Sequence, residues 1–300
     1  MTSLHTVALE LVPPELSAGR ERAVAEARSA AELCRRHGLD RQVRHVMLPG
    51  IVAEDAGRPV PVTPRMDVAD FWEVVDDVFT GAVSGLCAQV TVFDDAPHLD
   101  ARVRRLRDAG MDGVVFVGKP HGATASGITP VEALTRYRSL LPHRGVILMP
   151  TRRGELDRFV AKCERGATFA LTQLLYSDRI VGLLRDVADR TPLRPEILLS
   201  FGFVPGIEQR IRLIDWLIHD DGNDDARREQ QTVAALAGAD PQRRRRLLVE
   251  HYRRVVDGVR GLGFPLSLHL EAPYGVSDAA CATFAAMLEQ WAPRVDDGSR

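Results

Sequence analysis

The stretch Leu99–Pro150, LDARVRRLRDAGMDGVVFVGKPHGATASGITPVEALTRYRSLLPHRGVILMP, contains one pattern twice. Leu99, Val103 and Leu106 stand at i, i+4 and i+7, the spacing that lays an apolar stripe along a helix. Gly110 can close that helix in a left-handed conformation, and the short apolar run Gly113–Val117 comes next, as a strand buried on both faces requires. Thr129 and Pro130 then read as N-cap and first-turn proline, Leu134, Tyr137 and Leu141 repeat the helical spacing, and Gly145–Met149 is a second apolar run. Helix, strand, helix, strand in this order implies parallel strands joined by crossover helices.

The same alternation extends to both ends. Apolar runs recur at Val7–Val12, Arg44–Leu48, Leu86–Val92, Thr168–Leu175, Glu196–Phe203 and Leu266–Leu270, which makes eight strands in all. Gly38 is placed to close the first helix and Ser177 to cap the sixth. Eight such units predict an α/β fold, a single (β/α)8 TIM barrel over residues 1–300, with its site at the C-terminal ends of the strands. A doubly wound open sheet is the alternative. One elaborated connection interrupts the plan at about 219–246, where HDDGNDD precedes a charged helix ending in Arg243–Arg246. Its acidic neighbours and helical spacing predict a solvated face rather than a phosphate or nucleic-acid patch.

Composition narrows the class. A net charge of −2 gives no field to attract nucleic acid or a membrane surface, so neither is expected as a partner. No run approaches the ~18 consecutive apolar residues of a membrane helix, and the N-terminus lacks the features of a secretory signal. Cys34, Cys87, Cys163 and Cys281 form no CxxC pair and suit a reducing, cytoplasmic setting. The histidines show no metal spacing, so no metal is expected, and GxGxxG, GxxxxGK[ST] and HExxH are absent. Helix-face patterns leave the oligomeric state open.

In a barrel both faces of a strand are covered, so a charged residue inside a strand run costs several kcal/mol unless paired or solvated. Glu10 is the clearest such residue: it interrupts Val7–Val12, shares a face with Ala8 and Val12, and stands just before Pro13–Pro14. An ion pair with a basic residue of the barrel is the alternative to a functional acid. Gln89 and Thr91 intrude in strand three and Thr172–Gln173 in strand six, Lys119 follows strand four, and Ser267, His269 and Glu271 alternate through strand eight. Singly each has an ordinary explanation, His269 as a hydrogen-bonded core histidine and Lys119 as a side chain snorkelling to solvent. Together they outline a polar rim suited to a small ligand with amide and carboxylate groups.

Two motifs carry a family resemblance. Glu10-Leu-Val-Pro-Pro14 resembles the first-strand Glu-Phe-Phe-Pro-Pro of methylenetetrahydrofolate reductases. Gly166-Ala-Thr-Phe-Ala-Leu-Thr-Gln-Leu-Leu-Tyr176 resembles their Gly-Ala-x-x-Ala-Ile-Thr-Gln-Phe-Phe-Phe. The resemblance implies reduction of 5,10-methylenetetrahydrofolate to 5-methyltetrahydrofolate, with Glu10 as general acid and Gln173 holding the pterin. Gln89, Tyr176 and Glu271 are further expected folate contacts, and Glu54 is another residue that could touch substrate. Departures fall where the family holds FAD. Its Arg-Gly-Asp after strand four is Val117-Gly-Lys-Pro120 here, which reverses the charge, and Met149–Glu155 lacks the Tyr-Pro-Glu-x-His of the family loop. The third-strand histidine near the flavin is replaced by Ala88 or Gln89, and only scattered flavin-side positions such as Glu155 and Lys162 look retained. The expectation is therefore that FAD is absent and that NADH, with NADPH as the alternative donor, gives its hydride directly, near Thr91 and Lys119. The readings set against it are a conventional FAD-dependent reductase, a folate-binding barrel with lyase or transferase chemistry, and a non-catalytic folate-binding barrel.

Overall fold

The computed structural model describes residues 4–50, 63–119, 126–203, 222–273 and 275–293. Eight parallel strands close in sequence order: β1 Val7–Glu10, β2 Val43–Gly50, β3 Ser84–Val90, β4 Met111–Val117, β5 His143–Leu148, β6 Phe169–Thr172, β7 Glu196–Gly202 and β8 Leu266–Glu271. The last seam is β1 against β8, with Val7 opposite Leu268 and Ala8 opposite His269. Every predicted strand is present, and the open-sheet alternative is set aside by that seam.

Helices α1 Gly19–Arg36, α2 Val68–Phe79, α3 Ala96–Asp108, α4 Pro130–Arg136, α5 Glu155–Glu164 and α6 Arg179–Arg190 follow the first six strands among the described residues. Their ends obey local chemistry. Thr129 and Glu132 form a reciprocal capping box at α4, while Gly38 and Gly110, each at positive φ, terminate α1 and α3. Ser177 does not cap α6: Asp178 holds the N-cap position without a side-chain bond, and the Ser177 hydroxyl instead donates to Glu229 at 3.3 Å. The connection between β7 and β8 carries α7 Asp224–Ala237 and α8 Pro241–Val259, and α9 Asp278–Gln290 follows β8. Arg243–Arg246 thus opens a helix rather than ending one, because Asp240 and Pro241 start a new helix there. Asn223 both caps α7 and donates to the Thr151 carbonyl at 2.7 Å, fastening this connection beside the end of β5.

Two apolar layers result. One lies between strands and helices and holds Trp72, Phe116, Phe159, Phe201 and Tyr252. The other, built among the described residues around Ala8, Met47, Leu86, Val115, Phe169, Leu171 and Leu198 with Ala88, Val117 and Ile147 packed against them, fills the barrel itself. Gly145 belongs to this interior, since a Cβ there would run into the Phe169 ring. At the N-terminal end the floor is polar: Glu196 accepts the Leu4 and His5 amides at 2.6 and 2.9 Å and the Ser267 hydroxyl. His45 bonds Thr6 at 2.8 Å and faces Asp112 at 3.5 Å. All four cysteines are buried and unbridged. No helix among the described residues is long and apolar enough to cross a membrane.

Candidate active site at the barrel mouth

Strand parity decides which polar residues reach the interior, because successive side chains point to opposite faces. Glu10 lies two residues beyond the interior Ala8, at the C-terminal end of β1, and is 7% exposed. Gln173 lies two beyond the interior Leu171 and is half-buried. Its backbone N–H donates to the Leu148 carbonyl at 2.9 Å, and no described residue bonds its side-chain amide, which leaves two donors and an acceptor for a ligand. On β8 the inward residues are Ser267 at the floor, then His269, then the half-buried Glu271. Lys119, two residues beyond the interior Val117, is exposed past the end of β4.

Three expected site residues are not brought to this mouth. Gln89 sits on the opposite face of β3 from Leu86 and Ala88, donates to the Val90 carbonyl at 2.7 Å, and lines a groove between α2 and α3 with Asp67 and Arg105. Thr91 is fully buried and donates to the Ile128 carbonyl at 2.6 Å, tying the chain beyond β3 to the chain that precedes α4. Tyr176 is 4% exposed and packs in the layer between strands and helices. Glu54 falls outside the described residues.

Sequence reasoning passed over one residue, Ser200, which had no charge to mark it within an apolar run. It stands opposite His269 across the β7–β8 pair, with its Oγ 3.0 Å from His269 Nδ1 and 2.7 Å from the Thr172 carbonyl. The Thr172 hydroxyl accepts the Ser200 amide at 2.8 Å. The other ring nitrogen, His269 Nε2, lies 3.9 Å from Glu10 Oε2. Loss of hydration on burial pushes the His269 pKa down to about 3, so the ring is neutral at ordinary pH.

His251 on α8 behaves likewise. Burial, helped by the charge of Arg254, lowers its pKa to about 4, and its ring meets Phe201 edge-on at 6.4 Å. Both folded values lie below the ordinary 6.5. The unfolded chain therefore binds protons that the native state refuses as pH falls from 6.5 toward 3–4. Stability should be full above that window and drop by ~1.4 kcal/mol per pH unit for each histidine within it. Denaturant midpoints at pH 7 and pH 5 test this. His251→Gln should lose part of the difference, and an unchanged difference would count against a buried neutral His251.

Glu155 and Lys162 are engaged with each other. Lys162 Nζ donates to the Ile147 carbonyl at 2.7 Å and lies 3.2 Å from Glu155, which also accepts the Met149 amide at 3.3 Å and is 2% exposed. They brace α5 against the end of β5. Arg153 is likewise occupied, donating to the Gly222 carbonyl at 2.7 Å. Among the described residues no cluster of histidine, cysteine or carboxylate side chains could hold a metal ion.

The fold and mouth define a (β/α)8-barrel protein that, among the described residues, carries the buried acid Glu10 and the unengaged amide of Gln173 on inward strand faces at the C-terminal ends of the strands. A family profile described as mycobacterial methylenetetrahydrofolate reductase matches residues 3–295, and the chain belongs to that family. Among curated proteins none matches the chain. Solved structures similar to it include PhdJ bound to a substrate intermediate, at 17% identity over 95% of this chain and 94% of that one, with a TM-score of 0.42. A tryptophan synthase from M. tuberculosis follows at 16% identity, 77% and 91% coverage and a TM-score of 0.43. The 4-hydroxy-tetrahydrodipicolinate synthase of Methylacidiphilum fumariolicum SolV is similar at 11% identity, 96% and 97% coverage and a TM-score of 0.45. At such scores none of them bears on function.

Proposed function

We propose that this protein reduces 5,10-methylenetetrahydrofolate to 5-methyltetrahydrofolate with hydride taken directly from a nicotinamide dinucleotide, Glu10 acting as general acid and no flavin intervening. The observation that carries the reading is Glu10, a buried carboxyl on the inward face of the mouth, beside a neutral imidazole. A carboxyl removed from water holds its proton to higher pH, as an acid working near neutrality must. Glu10 gives that proton to the bridge nitrogen of the folate ring. The carbon–nitrogen bond breaks with its electrons going to that nitrogen, and an iminium is left on the methylene carbon. A nicotinamide bound at the mouth would supply the hydride that this carbon accepts. Gln173 orients the pterin, whose amide-like edge complements a free carboxamide.

The flavin-free part of the reading rests on side chains already engaged. Glu155 and Lys162, the positions that look retained from flavin-binding relatives, are committed to each other and to the β5 backbone, so they do not fit a flavin contact. Lys119 puts a positive charge where those relatives have an acid. NADH is the expected donor, with its phosphates on the side of the mouth where Lys119 adds positive charge. Neither Gln89 nor Thr91 enters this assignment, because their strand face points away from the barrel interior.

Nicotinamide oxidation with methylenetetrahydrofolate, measured on chromophore-free protein with and without added FAD, tests the reading. Turnover without FAD is expected. Turnover only with FAD would overturn direct transfer, and none in either case would turn attention to lyase, transferase or binding roles. Gln173→Ala is expected to raise the folate KM about tenfold, the loss of one or two hydrogen bonds, with kcat less affected. A change confined to kcat would remove Gln173 from pterin binding.

A further inference from the structure

Four neighbouring strands place Thr172, Ser200, His269 and Glu10 in a single polar line across β6, β7, β8 and β1. A carbonyl oxygen cannot donate, so the 2.7 Å contact between Ser200 Oγ and the Thr172 carbonyl consumes the only proton of the serine hydroxyl. Ser200 Oγ then meets His269 Nδ1, 3.0 Å away, as an acceptor, and Nδ1 must carry the ring's hydrogen. In a neutral imidazole this leaves a lone pair on Nε2, and that atom is the one facing the Glu10 carboxyl at 3.9 Å. A lone pair so placed repels a carboxylate and tolerates a carboxylic acid.

We infer that His269 is a positioning residue whose tautomer, set by Ser200 and the Thr172 carbonyl, keeps the working proton on Glu10. The inference rests on the reading of Glu10 as the acid and adds the device that keeps it charged with a proton at neutral pH. Desolvation of the ring acts in the same direction, since a proton moved from Glu10 to His269 would create two charges in a buried space. The other titratable groups that the described strands present inward near the mouth are Glu271 on β8 and Lys119 past β4. His45 and Glu196 belong to the floor, beyond the apolar layer of Ala8, Met47 and Leu198. None of these four is altered by a change at Ser200, so Ser200 isolates the effect.

The first test is the nitrogen-15 spectrum of histidine-labelled, full-length protein, which distinguishes protonated from bare ring nitrogens without reference to turnover. The His269 signals are identified by their loss in His269→Gln and their shift in Ser200→Ala. Nδ1 protonated and Nε2 bare at neutral pH is the expected result. The opposite tautomer, or a doubly protonated ring, would overturn the inference.

The second test is the pH profile of kcat. Activity requires protonated Glu10, so it falls on the alkaline side, and Ser200→Ala frees the ring to turn a hydrogen toward Glu10 and stabilise its anion. The alkaline limb should move down by about one pH unit in Ser200→Ala and return in Ser200→Thr, which restores a hydroxyl. A limb that stays in place while kcat falls evenly at all pH values would assign Ser200 and His269 to packing alone. Should Glu10→Gln prove fully active, the acid assignment fails on its own, while the nitrogen spectrum still decides the tautomer.

Discussion

Glu10→Gln is expected to lower turnover by ~10²-fold or more while the barrel remains folded. The amide keeps the size and much of the hydrogen-bonding capacity of the carboxyl, so the packing around β1 is preserved. What it removes is the proton that, in the proposed mechanism, opens the folate ring. Because that proton is needed in the transition state and not for docking, kcat should carry most of the loss and the folate KM little of it. Circular dichroism and a denaturation midpoint establish that the variant is folded, and single-turnover kinetics then isolate the chemical step. Turnover within a factor of a few of the wild type would take Glu10 out of the mechanism and leave the interior carboxyl with a structural task.

The largest effect on stability is expected at the pair behind β5. Lys162→Met removes the cation that lies 3.2 Å from Glu155 and leaves a carboxylate that is 2% exposed with, among the described residues, the Met149 amide at 3.3 Å and the partly solvated Arg158 at 3.5 Å. Breaking one side of a buried pair costs roughly 3–5 kcal/mol, and the residual contact with Arg158 puts this case near ~3 kcal/mol. The double variant Glu155→Met/Lys162→Met should recover much of that loss, since no uncompensated charge remains. Urea denaturation of the two variants against the wild type gives the comparison. A double variant no more stable than Lys162→Met would mean that the packing of α5, and not the charge pair, holds this corner.

Much of the architecture is legible in the chain, for a definite reason. Strands covered on both faces read as unbroken apolar runs, and the helices between them carry a different period, so all eight strands stand out. The same coverage hides which face looks inward. In β1 and β8 the intruding polar residues Glu10, His269 and Glu271 mark the interior themselves. In β3 both faces are apolar up to Gln89 and Thr91, and only closure of the barrel shows that these two look outward. Tyr176 is similar: four residues after β6 ends, strand alternation no longer says where a side chain points. Ser200 needed its partners, since a serine in a strand acquires meaning only when a histidine and a carbonyl are found on either side of it. The floor around Glu196 joins residues from both ends of the chain and no local pattern announces it.

The closing seam of the barrel also sets a schedule. Thr6 and Ser267, bonded at the foot of that seam, are 261 residues apart, so β1 has no second neighbour until almost the whole chain is available. During synthesis the amino-terminal strand emerges first and waits, and contacts of such long range are the slow ones to form. Glu10 and His269 lie on opposite sides of this seam. A nascent or partly folded chain can therefore assemble most of its helices and strands while lacking the pairing that brings His269 beside Glu10. On the mechanism proposed above, reduction needs the last strand in place, so recovery of activity during refolding should trail recovery of helical signal and report ring closure itself.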